Sequence, residues 1–143
     1  VALIRAMARD TDADVRRRVV GARAHSEAPE DVALIRAMAR DTDARVRWHV
    51  VHALAVSQAP EDVAIIRALA RDTDADVRRR VVGARARSRA PEAVAIFQRL
   101  AHDSNELIAR TALAALRTAG VPLQDAACST ANLLRGVSLG LRD

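Results

Sequence analysis

Apolar residues along this chain return at helical spacing, stop, and start again on a fixed beat. Val32, Ile35, Met38 and Ala39 recur every three or four positions, with Arg36 and Arg40 on the opposite side. That spacing predicts an amphipathic helix, here helix A, ending near Asp41. Pro29 stands where a helix begins and a missing N–H costs nothing. Glu30 and Asp31 follow in the first turn, at the positive end of the helix dipole. Asp41-Thr42-Asp43 is turn chemistry, and Thr42 is the expected N-cap of a second helix. Thr11 with Asp14, and Thr73 with Asp76, have the spacing of a capping box. Helix B is expected from about Ala44 to Val56, with Val46, Val50 and Ala53 at i, i+4 and i+7. Ser57 to Ala59 then turn the chain back. Nothing alternates with period two, so the unit is a helical hairpin and the fold class all-α.

The hairpin is written repeatedly. Residues 1–31, 32–62 and 63–93 are near copies, and 94–121 form a worn fourth. Pro29, Pro60, Pro91 and Pro122 keep the 31-residue period. A fixed period of this length predicts a stack of units, none able to bury its apolar face alone. Gly120 is placed for a helix C′ position. Pro122 opens an expected capping helix to about Arg135, so that 122–143 closes one array spanning 1–143. The role of 137–143 is left open.

Composition narrows the picture. Half of the 143 residues are apolar, but Trp48 and Phe97 are the only aromatics. The core is therefore expected to be Val, Ile, Leu and Ala. All 23 basic residues are Arg, which with the abundant Ala suits a GC-rich bacterial genome. The net charge of +5 favours acidic or nucleic-acid partners without demanding them. Cys128 is the only cysteine, which excludes an intramolecular disulfide and a Cys-based zinc site. No apolar run approaches the ~18 residues of a membrane span, and no signal peptide is visible. The expected location is cytoplasmic, with no membrane contact. Because Val1 falls inside a repeat and no Met precedes it, the chain is expected to be a fragment.

The turn Asp10 to Arg16 (Asp-Thr-Asp-Ala-Asp-Val-Arg), recurring at Asp41 to Arg47 and Asp72 to Arg78, resembles the hallmark of HEAT-like repeats. It is most similar to the short variety of phycobilisome-lyase-type proteins. The resemblance covers roughly Val1 to Gly120. It implies a right-handed α-solenoid of about four helical hairpins plus a capping helix. It also implies a ladder between neighbouring repeats from Asp10/Arg16, Asp41/Arg47 and Asp72/Arg78. Asp103 persists in the fourth copy, but its partner position is Ala109, where the ladder should end.

Comparing copies locates where function could sit. The first and third agree at 26 of 31 positions. The first and second differ at seven, all between Arg45 and Gln58, so helix A is untouched while helix B is rewritten. On a wheel of about 100° per residue, Val46, Val50, Ala53 and Ser57 share the packing side. Trp48, His52 and Ala55 point away from it, flanked by His49 and Leu54. In HEAT-like arrays that outward face lines the concave surface. The candidate partner-binding residues are Arg17, Arg45, Trp48, His49, His52, Arg79 and Arg110, since exposed Trp and Arg dominate interface hot spots. The alternative is that Trp48 lies over neighbouring Arg stems and fills a gap left by Gly21 and Gly83. Arg5, Arg9, Arg36, Arg40, Arg67 and Arg71 are expected on a solvated outer face.

Catalysis has no foothold. Asp10, Asp12 and Asp14 imitate a calcium loop, but Val15 occupies the sharp-turn Gly position and Gly21 the bidentate Glu position. His49 and His52 lack an evident third metal ligand. No cofactor is expected. The pattern points to a non-catalytic protein-interaction scaffold for a protein or peptide, acidic or of mixed charge, on the helix B face. Nucleic-acid binding through the same Arg/Trp row is the alternative, weakened by Asp14 and Asp76 at its edge and by the single aromatic. A lyase or chaperone subunit is a third, by family analogy alone. The oligomeric state is left open.

Overall fold

The structure is a computed structural model that describes residues 2–122. The expected capping helix and tail, with Cys128, lie outside the described residues. Eight α-helices follow in chain order, and there is no strand among the described residues. They are α1 (Ala2–Met7), α2 (Ala13–Arg23), α3 (Pro29–Ala37), α4 (Ala44–Leu54), α5 (Pro60–Leu69), α6 (Ala75–Arg85), α7 (Pro91–Leu100) and α8 (Glu106–Thr118). A 3-10 turn, Met38–Arg40, finishes α3. Neighbouring helices pack in sequence order as in an α-solenoid.

The contacts divide the chain into two compact units, Val1–Ala86 and Arg87–Asp143. In the first, α2, α4 and α6 pack side by side as one layer, with α1, α3 and α5 joined to them in the other. The second unit holds the hairpin of α7 on α8.

Each hairpin forms for local reasons. Pro29, Pro60 and Pro91 open the A helices at N1, where proline lacks only a donor that would be orphaned anyway. The B helices are capped by Asp12, Asp43 and Asp74, whose carboxylates accept the N–H groups of Asp14, Arg45 and Asp76. This corrects the expectation of Thr caps. The turn runs one residue longer, because Asp10, Asp41 and Asp72 each accept the N–H two residues on and complete an Asx turn before the helix begins. In the fourth copy Asn105 takes the cap and Asp103 the Asx turn. Gly120, at φ +78°, ends α8 as a C′ residue. Its N–H reaches the Arg117 carbonyl, and the Val121 N–H reaches Leu116, which is a Schellman closure.

The core of the first unit is aliphatic. Val46, Val50, Val51, Ile66, Val77, Val81 and Val82 are fully buried. Leu54, expected beside the groove, is buried as well. The middle B helix packs against a B helix on either side and against the A layer, so its buried arc is wider than one stripe. In the second unit Phe97, Leu100, Ile108 and Leu116 are fully buried.

Candidate functional site: the helix B cleft and the ladders beside it

The turn residues hold the first unit together at its repeat junctions. The Arg16 guanidinium donates to both carboxylate oxygens of Asp41, at 2.8 and 2.9 Å. Its remaining nitrogen donates to the main-chain carbonyls of Asp10 and Thr11. Arg47 repeats this with Asp72, at 2.7 and 2.9 Å, and with the carbonyls of Asp41 and Thr42. Arg78 binds the carbonyls of Asp72 and Thr73 in the same way. The six-residue spacing in the sequence is thus a guanidinium-to-carbonyl contact within one turn. The charge pairing runs 25 residues forward, into the next repeat. Burial alone would raise the Asp41 and Asp72 pKa values. The Arg16 and Arg47 hydrogen bonds, backbone N–H groups and nearby positive charge outweigh it and hold both below the usual carboxylate range.

A second junction network, not foreseen in the sequence, lies at the other end of the hairpins. Asp62, only 3% exposed, accepts from Arg36 at 2.6 Å and from the Ser57 hydroxyl. Glu61 also reaches Arg36. Arg36 is therefore half-buried and paired, where a solvated outer face was expected. Asp31 similarly accepts from Ser26 at 2.6 Å and from Arg23. Arg85, nearly fully buried, donates to the Ser57 carbonyl at 3.0 Å. The visible signal was a Ser five residues before each Asp, at Ser26/Asp31 and Ser57/Asp62.

On the outward side of α2, α4 and α6 lies an open cleft of about 500 Å3. Arg17, Arg45 and Arg79 line it together with Asp14, Asp74 and Asp76, around the half-buried Trp48 and His49. Helix phase puts them there: Asp14, Arg45 and Asp76 share one repeat position, and Arg17, Trp48 and Arg79 share the position three residues on. The arginines do not stand free. Arg17 pairs with Asp14, Arg45 with Asp14 and Asp43, and Arg79 with Asp76. Such exposed pairs are worth ~0–1 kcal/mol and exchange readily for an incoming charge. The cleft is thus of mixed charge, three carboxylates against three guanidiniums.

Trp48 is fixed from below. The Arg80 guanidinium lies over its ring, 4.6 Å from the centroid, a cation–π geometry. His52 stacks beside it at 6.0 Å and 17°, and His49 meets it edge-on at 4.9 Å. Arg80 also donates to His52 Nδ1, which requires a neutral imidazole there. Burial first, then the positive charge of Arg80 and His25, lowers the His52 pKa. Burial, then Arg17, His52 and Arg80, lowers that of His49. Both rings are therefore neutral near pH 7.

Of the predicted row, Arg17, Arg45, Trp48, His49 and Arg79 meet in the cleft, while His52 is exposed beside Trp48. Arg110 belongs to the second unit, where it pairs with Glu106. Arg80 was missed, although it directly follows a predicted member. A β-carbon added at Gly21 or Gly83 would meet nothing within 4 Å. Trp48 therefore does not fill a gap at either glycine. Among the described residues no three His, Cys, Asp or Glu side chains gather to hold a metal, and no helix is long and apolar enough to cross a membrane.

No curated protein matches the chain significantly. The profile of HEAT repeats matches residues 1–82, more than half of its length. With its helical hairpins packed in sequence order, the chain belongs to the HEAT-repeat family.

Proposed function

We propose that the chain is a non-catalytic interaction scaffold that holds a polypeptide segment of mixed charge in the cleft around Trp48. The supporting observation is the cleft itself: an aromatic ring held in place by Arg80 and flanked by exchangeable Arg–Asp pairs. A partner's carboxylates can replace Asp14 or Asp76 on Arg17 and Arg79, and its cations can take the released aspartates. The ring offers a desolvated anchor between them. HEAT repeats commonly mediate protein–protein contact, which agrees with this use.

Phosphate backbones fit less well, because Asp14, Asp74 and Asp76 face the same space. The test is a titration of Trp48 fluorescence with a mixed-charge peptide library and, in parallel, with single- and double-stranded oligonucleotides at two salt concentrations. Peptides that shift the signal, and whose binding, followed by calorimetry, is lost in Trp48→Ala and Arg17→Glu, support the proposal. Oligonucleotide binding that weakens steeply with salt, with no peptide response, would replace it with the nucleic-acid reading.

A further inference from the structure

Arg80 differs from the arginines that line the cleft. Arg17, Arg45 and Arg79 each hold an aspartate. Among the described residues Arg80 forms no ion pair, and its Nε is buried without a hydrogen-bond partner. Its contacts are aromatic instead. The guanidinium lies over the Trp48 ring, 4.6 Å from the centroid, and donates to His52 Nδ1. A guanidinium has donors to spare beyond that one.

The repeats show what is special here. Arg18, His49 and Arg80 share one repeat position, so an arginine there is ordinary. Trp48 and His52 are two of the seven substitutions that set the second copy apart from the first. They bring two rings, stacked at 6.0 Å and 17°, against an arginine that the third copy shares with the first. Gly21 and Gly83 occupy the His52 position in α2 and α6, the helices packed on either side of α4. A β-carbon at either glycine would meet nothing within 4 Å, and His52 itself is exposed. The imidazole thus stands between two bare stretches of helix, open to a ligand group. The charges acting on it are positive: Arg80 from α6 and His25 beyond the end of α2, while on α4 His52 in turn opposes protonation of His49. A desolvated guanidinium and an imidazole set together in this way lack an anion.

We propose that Arg80 and His52 receive a carboxylate beside Trp48, and that His52 takes a proton from solvent as the carboxylate arrives. That the carboxylate belongs to a polypeptide rests on the function proposed above, and it makes the bound segment acidic where it passes the indole. Before binding, Nδ1 accepts from Arg80, so Nε2 carries the hydrogen. Once the carboxylate takes over the guanidinium's donor, Nδ1 is free. It gains the proton and donates to the same carboxylate, so that both bonds are charge-assisted. A carboxylate offers one charge and two acceptor oxygens to one guanidinium and one imidazolium. A phosphate backbone would bring further charge against Asp14 and Asp76 in the cleft.

The test follows the imidazole resonances of His25, His49 and His52 by NMR across pH, in the whole chain, with N-acetylglutamate α-amide or N-acetylglutamine amide added. The glutamate compound is expected to raise the His52 midpoint by about one pH unit at saturation, and the uncharged glutamine compound to leave it in place. The shift is expected to vanish in Arg80→Gln with helix content unchanged. The contrast between the two amides needs no variant, so it stands even where Arg80→Gln disturbs the fold. An unmoved His52 midpoint overturns the proposal. So does a shift that survives Arg80→Gln in folded protein, one matched by chloride at the same concentration, or a larger response to inorganic phosphate. A peptide titration that fails while this shift persists removes the polypeptide cleft and leaves the carboxylate site. Peptide binding with no His52 shift does the reverse.

Discussion

Arg16 grips Asp41 with two parallel hydrogen bonds and, with its remaining nitrogen, holds the carbonyls of its own turn. One side chain thereby sets the geometry of a turn and the distance to the next repeat. Asp41→Ala removes the acceptor and leaves the Arg16 guanidinium without its charge partner at a part-buried junction. The expected loss is about 1–3 kcal/mol, read as a lower thermal midpoint with the cleft still able to bind.

Acid should unfold the protein in two stages. His49 and His52 have lowered pKa values in the fold, so the neutral rings contribute stability that is fully present above the unfolded value of about 6.5 and is lost as pH falls below it. Asp41, Asp62 and Asp72 are also lowered, so their contribution holds above about pH 4 and is lost as pH falls through the folded values. Urea midpoints between pH 8 and 2 are the measurement (a range set by about one unit beyond these values). In His49→Gln/His52→Gln the upper stage is expected to vanish while the lower one remains.

Protonation of His52 also has a local signature. The imidazolium can no longer accept from Arg80, and two cations then compete beside the indole. Trp48 emission is expected to change in the same pH interval as the upper stage. The change should differ in size in Arg80→Met, where only the imidazolium charge is gained beside the ring.

Trp48→Ala removes a half-buried ring and its cation–π contact. The expected loss of stability is about 1–2 kcal/mol, small beside the ~3–5 kcal/mol of deleting a core aromatic. Phe97, fully buried, supplies that comparison in the second unit. Equal losses for Trp48→Ala and Phe97→Ala would place Trp48 in the core.

Gly21 and Gly83 sit inside B helices facing open space. Replacing either by Ala should stabilise the fold by about 0.5–1 kcal/mol, since helical glycine carries excess backbone entropy. If a partner lies close over these helices, the same substitutions will weaken its binding, and calorimetry against denaturation curves separates the two effects.

The hairpins, their 31-residue beat and the Gly120 stop were legible because each depends on neighbours in the chain: a proline at N1, a glycine at positive φ, an apolar row. The cap shifted from Thr to Asp because either side chain can cap from the sequence alone, and the Asx turn formed by the preceding Asp decides between them. The direction of the Arg–Asp pairing was hidden for a different reason. Arg16 lies six residues from Asp10 and 25 from Asp41, and only stacking makes the distant carboxylate the near one. Arg36, Asp62 and Arg85 were likewise hidden, since charged side chains on helix surfaces read as solvated until the adjoining repeat covers them. In the cleft, side chains sharing a helix phase were foreseen. Asp14 and Asp76 at its edge were foreseen too, and each pairs with the arginine three residues on. The Asp14–Arg45 pair and the position of Arg80 over Trp48 came from contacts between helices.

The Arg–Asp junction also bears on how such a chain grows and shrinks. Each of the first three 31-residue modules carries an acceptor at the start of its turn and a donor for the module after it, whereas the fourth has Ala109 at the donor position. Duplicating or deleting one whole period among those three therefore leaves every Arg–Asp joint between them satisfied. A tract cut out of phase between Asp10 and Arg16 would separate a donor from the turn it also braces. Unequal exchange between near-identical coding repeats is then expected to be filtered by the protein itself, with whole-module changes in length tolerated better than part-module ones.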